Sequence, residues 1–285
     1  MNFRKFLIEL LVSQHHEVYV FASDYTPQTK KSIQDLGATP VSYQISRGGL
    51  NPFADIKSTW QLKRIISEIA PDIVFSYFSK PVIFGTIAAK LAKVPRIIGM
   101  LEGLGFAFTK NSQSDNDPIK KIILKKIQIL LYRFSFKYLD RIIFLNSDDY
   151  SDLIIKNRIP IKTHSILGGI GVDLNKFSST APCITPIRFI FIGRLLREKG
   201  IYEYIEAATR IKKIHPDTEF IVLGNIVPEN PSALTQKQLK SLLQDGTIIH
   251  PGHVNDVKEW LQRSSVFVLP SYREGVPCST QEALA

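Results

Sequence analysis

The chain is poor in cysteine, methionine and tryptophan, with two of each among its 285 residues. Cys183 and Cys278 lie far apart and in no metal-ligand spacing, which excludes a disulfide scaffold and favours a reducing compartment. No apolar run reaches the roughly 18 residues that a spanning helix needs. The opening Met1-Asn2-Phe3-Arg4-Lys5 has neither the apolar core nor the cleavage site of a signal peptide. Low-complexity tracts and repeats of solenoid period are missing too. Acidic residues are outnumbered, 26 against 36 Lys plus Arg, for a formal charge of +10. That excess points to an anionic partner: nucleic acid, an acidic membrane surface or a phosphate-bearing ligand. With 44% apolar and 22% charged residues, the composition is that of a soluble globular protein, or one attached to a membrane only at its surface.

What is present is an alternation. Short apolar runs rich in β-branched residues lie at Val18–Ala22, Val41–Ser46, Ile73–Phe78, Arg96–Leu101 and Arg141–Leu145. A second series follows at Arg188–Ile192, Glu219–Leu223, Thr247–His250 and Val266–Leu269. Several are apolar at nearly every position, the mark of strands covered on both faces. Helical periods separate them, as in Ile56–Ile69, Ile119–Tyr138, Tyr202–Ile214 and Val257–Arg263. The pattern predicts α/β architecture with two doubly wound parallel sheets. The polar, proline-bearing stretch Ser178-Ser179-Thr180-Ala181-Pro182 divides them into domains 1–180 and 181–285. Both ends predict truncation: Phe3, Phe6, Leu7, Leu10 and Leu11 have helical spacing where a first central strand is expected, and the helical Thr280–Ala285 stops without a cap.

The chemistry concentrates at strand ends. Val266–Leu269 leads directly into Ser271-Tyr272-Arg273-Glu274-Gly275-Val276-Pro277-Cys278-Ser279-Thr280-Gln281-Glu282, at the carboxyl end of a parallel strand, where open α/β sheets bind ligands. Gly275 allows close backbone approach. Pro277 suits a first helical turn, leaving the N–H groups from about Cys278 to Thr280 free for an anion. Glu274 and Glu282 flank that helix start and could each take a pair of sugar hydroxyls, although a loop glutamate and a solvated helix glutamate explain them as well. After the strand Phe189–Ile192 comes Gly193-Arg194 with Lys199-Gly200, two cations suited to a diphosphate. A solvated basic turn is the plainer alternative. The spacing is not that of a P-loop, and Gly169-Ile170-Gly171-Val172-Asp173-Leu174 lacks the third glycine of a dinucleotide fingerprint.

Together, Gly193-Arg194, Lys199-Gly200 and the pair Glu274 and Glu282 with seven residues between resemble the retaining GT-B glycosyltransferases of sequence family 4. The segments Ser46-Arg47-Gly48-Gly49-Leu50-Asn51-Pro52, Lys80-Pro81-Val82-Ile83-Phe84-Gly85, Glu102-Gly103-Leu104-Gly105-Phe106-Ala107-Phe108 and Gly171-Val172-Asp173 are similar to the bacterial branch that extends lipid-linked oligosaccharides. The resemblance implies an N-terminal acceptor domain and a C-terminal domain that binds a nucleotide-sugar, UDP being the commonest nucleotide in this branch. It implies that Arg194 and Lys199 neutralise the departing diphosphate and that Glu274 contacts donor-sugar hydroxyls. Glu282 would hold the ribose, and Gly193, Gly275, Val276, Pro277, Cys278 and Ser279 would complete the donor cradle. Arg47, Lys80, Glu102 and Gly103 would lie on the acceptor side. It further implies retention of configuration by a front-face route, no metal or other cofactor, and a polyprenyl-diphosphate-linked saccharide as acceptor. The protein would then be cytoplasmic, peripheral on the inner face of a bacterial membrane, building surface polysaccharide such as O-antigen or capsule.

Two features depart from that family. Ser76-Tyr77-Phe78-Ser79-Lys80 holds no histidine where many relatives have one near the reacting centre, and the glycine-rich turn after the first strand is missing. Glu102 could equally be structural, and the six histidines form no metal set. Ile119–Tyr138 follows a helix start at Asp117-Pro118. Ile119, Ile122, Ile123, Ile127, Leu130, Leu131 and Phe134 make an apolar stripe, with Lys120, Lys121, Lys125, Lys126, Arg133 and Lys137 predominantly outside it. Such a helix can lie on an anionic bilayer or pack on its own sheet with solvated lysines. Other functional readings remain open: a non-catalytic remnant that keeps part of the donor site, or a basic module for membrane or nucleic acid. No aromatic-basic motif supports nucleic acid.

Overall fold

The computed structural model describes residues 4–45, 52–109, 119–179, 181, 184–228, 230 and 232–285. In chain order the elements are α1 (Lys5–Ser13), β1 (Tyr19–Ala22), α2 (Pro27–Asp35), β2 (Thr39–Ser42), α3 (Pro52–Ile69), β3 (Ile73–Tyr77), α4 (Thr86–Leu91) and β4 (Arg96–Leu101). They continue with α5 (Ile119–Phe136), β5 (Arg141–Phe144), α6 (Ser147–Tyr150) and β6 (His164–Ile166). The last series is β7 (Arg188–Ile192), α7 (Ile201–Ile214), β8 (Glu219–Leu223), α8 (Gln236–Leu242), β9 (Ile248–Gly252), α9 (Val257–Gln262), β10 (Val266–Phe267) and α10 (Cys278–Leu284). Helix starts follow local chemistry: Thr26 and Thr235 close capping boxes with Thr29 and Gln238, and Asp256 caps α9.

Two compact units emerge. The first comprises Met1–Leu101, Leu131–Ile143 and Ile159–Ser165, and the second Glu102–Leu130, Phe144–Arg158 and Ile166–Ala285. The first-series strands, expected in one sheet, divide between a two-stranded ladder β1-β2 and a four-stranded sheet β3-β4-β5-β6. Strand–helix alternation dictates the element order but says nothing of which strands pair, and there the expectation failed. Around the ladder, Ile8, Ile33 and Ala38 are buried against Val12, Val18, Val20 and Leu36. In the four-stranded sheet β3 and β4 run parallel. Gly99 on β4 is met so closely by Val82, Leu139 and Ile142 that an added Cβ would lie 3.0–3.2 Å from their methyl groups.

The second unit holds the sheet β10-β7-β8-β9, with β7 parallel to both β10 and β8, and β8 parallel to β9. Alternate residues of one strand face opposite sides. Phe191, Phe220 and Val222 join a core with Leu195, Ile201 and Tyr204, whereas Ile190, Ile221 and Leu223 pack with Trp260, Leu261 and Phe267 on the other side. Both faces are therefore covered by apolar side chains, as the unbroken β-branched runs predict. Helix α7 buries Ile201, Tyr204, Ile205 and Ala208, the i, i+3, i+4, i+7 face.

One helix decides between the two readings of its stripe. The apolar stripe of α5 faces outward: Ile119, Ile122, Ile123, Ile127, Leu130 and Phe134 are exposed. Lys121, outside the stripe, is buried; its ammonium donates to the Thr109 carbonyl and lies 5.2 Å from the Phe106 ring centroid. Lys125 lies over Phe108 in the same way, at 4.9 Å. Cation–π attraction and a backbone acceptor make the inner side of this helix a place for ammonium groups, so packing of the stripe on its own sheet is excluded. Among the described residues, no helix is long and apolar enough to cross a membrane.

Candidate functional site

Because β10 is hydrogen-bonded beside β7, with Phe267 opposite Ile190, the segments leaving both strands emerge side by side at the carboxyl edge of the sheet. From β7 the chain passes through Gly193, whose N–H donates to the Leu223 carbonyl (3.0 Å), to Arg194. Arg194 is exposed, its carbonyl accepting from the Leu196 N–H (2.8 Å), and its side chain has no ion-pair or hydrogen-bond partner among the described residues. The short turn Arg197–Lys199 follows and ends at Gly200, whose φ of +77° begins α7. An added Cβ at Gly200 would lie 2.2 Å from the Pro270 carbonyl oxygen, so only glycine permits this approach.

Lys199 donates to Oε1 of Glu274, and both side chains are largely buried. The loop carrying Glu274 is sewn to the β7 exit a second time: the Tyr272 N–H donates to the Glu198 carbonyl (2.9 Å), and its hydroxyl donates to Glu203. The structure thus brings Arg194, Lys199 and Glu274 to one edge of one sheet.

The same loop rests on Glu102 and Gly103, and also on Asn146, Asp149 and Asp152, to which the sequence does not point. Asn146, beyond the end of β5, donates through Nδ2 to the Glu274 and Gly275 carbonyls (3.2 and 2.8 Å). A Cβ on Gly275 would come within 2.1 Å of the Glu102 carbonyl oxygen, and Gly103, at φ +149°, faces the Gly275 nitrogen. Glu102 and Gly103 therefore meet this loop through their backbone. Arg273 forks to Asp149 (3.0 and 2.5 Å) and Asp152 (2.5 Å). Burial pushes the Asp149 carboxyl above its ordinary value even though Arg273 opposes it. Burial also works upward on Asp152, but hydrogen bonds from Lys156 and Arg273 outweigh it and hold that carboxyl low.

Val276 and Pro277 lead to α10, which starts at Cys278 with Pro277 as its cap residue, one position earlier than a first-turn proline. Cys278 and Ser279 open the helix. From the fourth residue of the helix, Gln281 accepts through Oε1 from the Gly171 N–H (3.1 Å), a contact no local signal announces. Burial pushes the Glu282 carboxyl above its ordinary value, with Lys176 pulling the other way. Glu282 also lines a cavity of about 200 Å³ with Phe177, Ile190, Lys258 and Phe267.

Lys80 lies in the first unit, where its ammonium is 2.9 Å from the carboxylate of buried Asp55. Arg47 and Cys183 lie outside the described residues. Among the described residues, no group of three or more His, Cys, Asp or Glu could hold a metal ion.

Comparison with known proteins adds to this geometry. Residues 177–285 match the family model described as glycosyl transferases group 1, and residues 3–146 the one described as glycosyl transferase 4-like. The chain is 30% identical over 302 residues to N,N'-diacetylbacillosaminyl-diphospho-undecaprenol alpha-1,3-N-acetylgalactosaminyltransferase of Campylobacter jejuni, covering 100% of this chain and 74% of that protein. It is 31% identical over 247 residues to UDP-Gal:alpha-D-GlcNAc-diphosphoundecaprenol alpha-1,3-galactosyltransferase of Escherichia coli, covering 80% of this chain and 59% of that one. In fold it is similar to HepE of Anabaena in complex with UDP and glucose, with a TM-score of 0.70 at 13% identity over 100% of this chain and 75% of that one.

Proposed function

This chain belongs to the glycosyltransferase family that the group 1 and 4-like models describe, an α/β enzyme of the GT-B class, and from that premise we propose that it moves a sugar from a UDP-sugar to a polyprenyl-diphosphate-linked saccharide. The observation that carries the reading is the Lys199–Glu274 pair at the carboxyl edge of β7 and β10, with Arg194 on the same strand exit, its side chain exposed and without a partner among the described residues. A leaving UDP develops negative charge on its diphosphate, and fixed cations aimed there stabilise the transition state without reorganising. Arg194 and Lys199 supply those cations, taking the role a metal ion would otherwise have. Glu274 accepts hydrogen bonds from hydroxyls of the donor sugar, and Glu282 from the ribose.

Backbone N–H groups from Gly275 to Ser279 complete the cradle, and the configuration is retained as the leaving phosphate oxygen takes the acceptor's proton. The division at residue 180, acceptor side before it and donor side after it, belongs to the same proposal; matches over 3–146 and 177–285 support it. The nature of the acceptor is supported by the undecaprenol-linked substrates in the names of the relatives from C. jejuni and E. coli. Such an acceptor has its lipid in a bilayer, so the enzyme works at a membrane surface. The outward isoleucines of α5, interleaved with exposed Lys120 and Lys126, support an anionic bilayer as what that helix faces.

The test is a donor screen: UDP-hexoses and UDP-N-acetylhexosamines are offered with an undecaprenyl-diphosphate-linked saccharide, and UDP release and product mass are followed. One UDP-sugar should give a lipid product longer by one sugar, with the donor's anomeric configuration kept by NMR. UDP binding without transfer would replace this reading by that of a donor-binding remnant, and absence of both would overturn it.

A further inference from the structure

We propose that Asn146 is a positioning residue for Glu274, an inference that rests on the donor-sugar role given to Glu274 above. Asn146 has extended backbone angles (φ −144°, ψ 163°) and caps α6, its Oδ1 accepting from the Asp149 N–H at 2.7 Å. Its Nδ2 donates to two successive carbonyls, those of Glu274 and Gly275. An amide that accepts from a main-chain N–H and donates both of its hydrogens to carbonyls can sit only one way round. The side chain is thus fixed at one end by a helix start and grips the two peptide units after Glu274 with the other.

The neighbouring contacts define what that grip is for. Arg273, one residue earlier, is anchored to Asp149 and Asp152, while the Glu102 carbonyl closes on Gly275 from outside the loop. Every residue of the run 273–275 is held by a group from a distant part of the chain, and the Glu274 carboxylate meets Lys199. Water can replace an amide at a part-buried carbonyl, so losing the Asn146 donor leaves the loop folded. Rotation of the freed peptide units swings the carboxylate, and a displacement of about 1 Å at a reacting centre can cost on the order of 10²-fold in rate.

Asn146→Asp separates the two duties. Its carboxylate still accepts from the Asp149 N–H and caps α6, but at neutral pH it has no hydrogen to give the two carbonyls. The variant is compared with the parent, with Glu274→Gln and with the double variant, using the UDP-sugar selected by the donor screen. Asn146→Asp should unfold cooperatively at a somewhat lower thermal midpoint, keep the parent's calorimetric affinity for UDP alone, and lower kcat by about 10- to 100-fold. In the Glu274→Gln background the same substitution should cost less than about threefold, because the group it positions is already lost.

Turnover of Asn146→Asp within about threefold of the parent would overturn the positioning role and leave the role of Glu274 standing. A loss that multiplies in full in the double variant would also overturn it. Unchanged turnover in Glu274→Gln would instead overturn the donor-sugar role of Glu274, and the positioning role with it. Should Asn146→Asp unfold the protein, the grip would be structural and the proposal wrong.

Discussion

Lys199 reaches Glu274 across 75 residues of sequence, from the turn after one strand to the loop after its neighbour in the sheet. Their meeting depends on parallel pairing of β7 with β10: an antiparallel partner would carry its exit to the opposite edge. Proximity alone is therefore informative, because the segments proposed to meet the diphosphate and the donor sugar share one edge of one sheet.

Removing either cation tests that edge. Arg194→Ala and Lys199→Ala should each lower kcat/KM by about 10²-fold or more, the scale of losing one preorganised charge partner. Arg194→Ala should leave urea stability within about 0.5 kcal/mol of the parent, since the side chain is exposed. Steady-state UDP release and an unfolding titration read the two effects.

Close backbone approach supplies a second test. Gly275→Ala places a methyl group 2.1 Å from the Glu102 carbonyl oxygen, and Gly200→Ala places one 2.2 Å from that of Pro270. Neither obstacle is a flexible side chain, so the backbone must move. Each substitution should cost at least about 1–3 kcal/mol in urea unfolding, with Gly200→Ala the worse because its φ of +77° adds left-handed strain.

Helix α5 makes a third. Ile123→Ser and Leu130→Ser alter exposed positions, so the stability of the free protein should stay within about 0.5 kcal/mol. Sedimentation with vesicles of phosphatidylglycerol and phosphatidylethanolamine should weaken by about tenfold or more for each, the worth of one buried aliphatic side chain. Undiminished pelleting of both variants would remove α5 from the membrane surface.

Acid titration makes a fourth. Hydrogen bonds from Lys162 and from the Ile97 N–H hold the Asp140 carboxyl below its ordinary value, against a small upward effect of burial. A carboxyl depressed in the folded state contributes stability that is present above its unfolded value near 3.8 and is lost as pH falls through the lower folded value. Asp140→Asn should lower the thermal midpoint at neutral pH and flatten its fall below about pH 4. Parallel acid limbs in the two proteins would refute the assignment.

Most strands were legible because burial on both faces writes itself as unbroken β-branched runs; Arg188–Ile192 and Glu219–Leu223 match their predicted limits. Strand β6 was not legible, since His164-Ser165-Ile166 contains a single aliphatic residue. Arg194, Lys199 and Glu274 stood out because their residue types cluster at strand ends. Asn146, Asp149 and Gln281 did not, because what distinguishes them is a partner more than a hundred residues away. The stripe of α5 is legible as a period, but a period has no sign: it tells which residues share a face and not whether that face meets protein. Lys121 decides the matter through Thr109 and Phe106, which the helix's own sequence does not contain.

The ladder of β1 and β2 joins only four residue pairs and no third strand among the described residues. Two paired strands are marginal in water, and here the small cluster of Ile8, Ile33 and Ala38 lends most of their support. This corner is therefore softer than the four-stranded sheet of β7 and β8, and its amide hydrogens will trade with deuterium through local opening long before those of β7 and β8. A protease offered the native protein should cut β1 and β2 before β7 and β8, leaving the sheet β10-β7-β8-β9 whole.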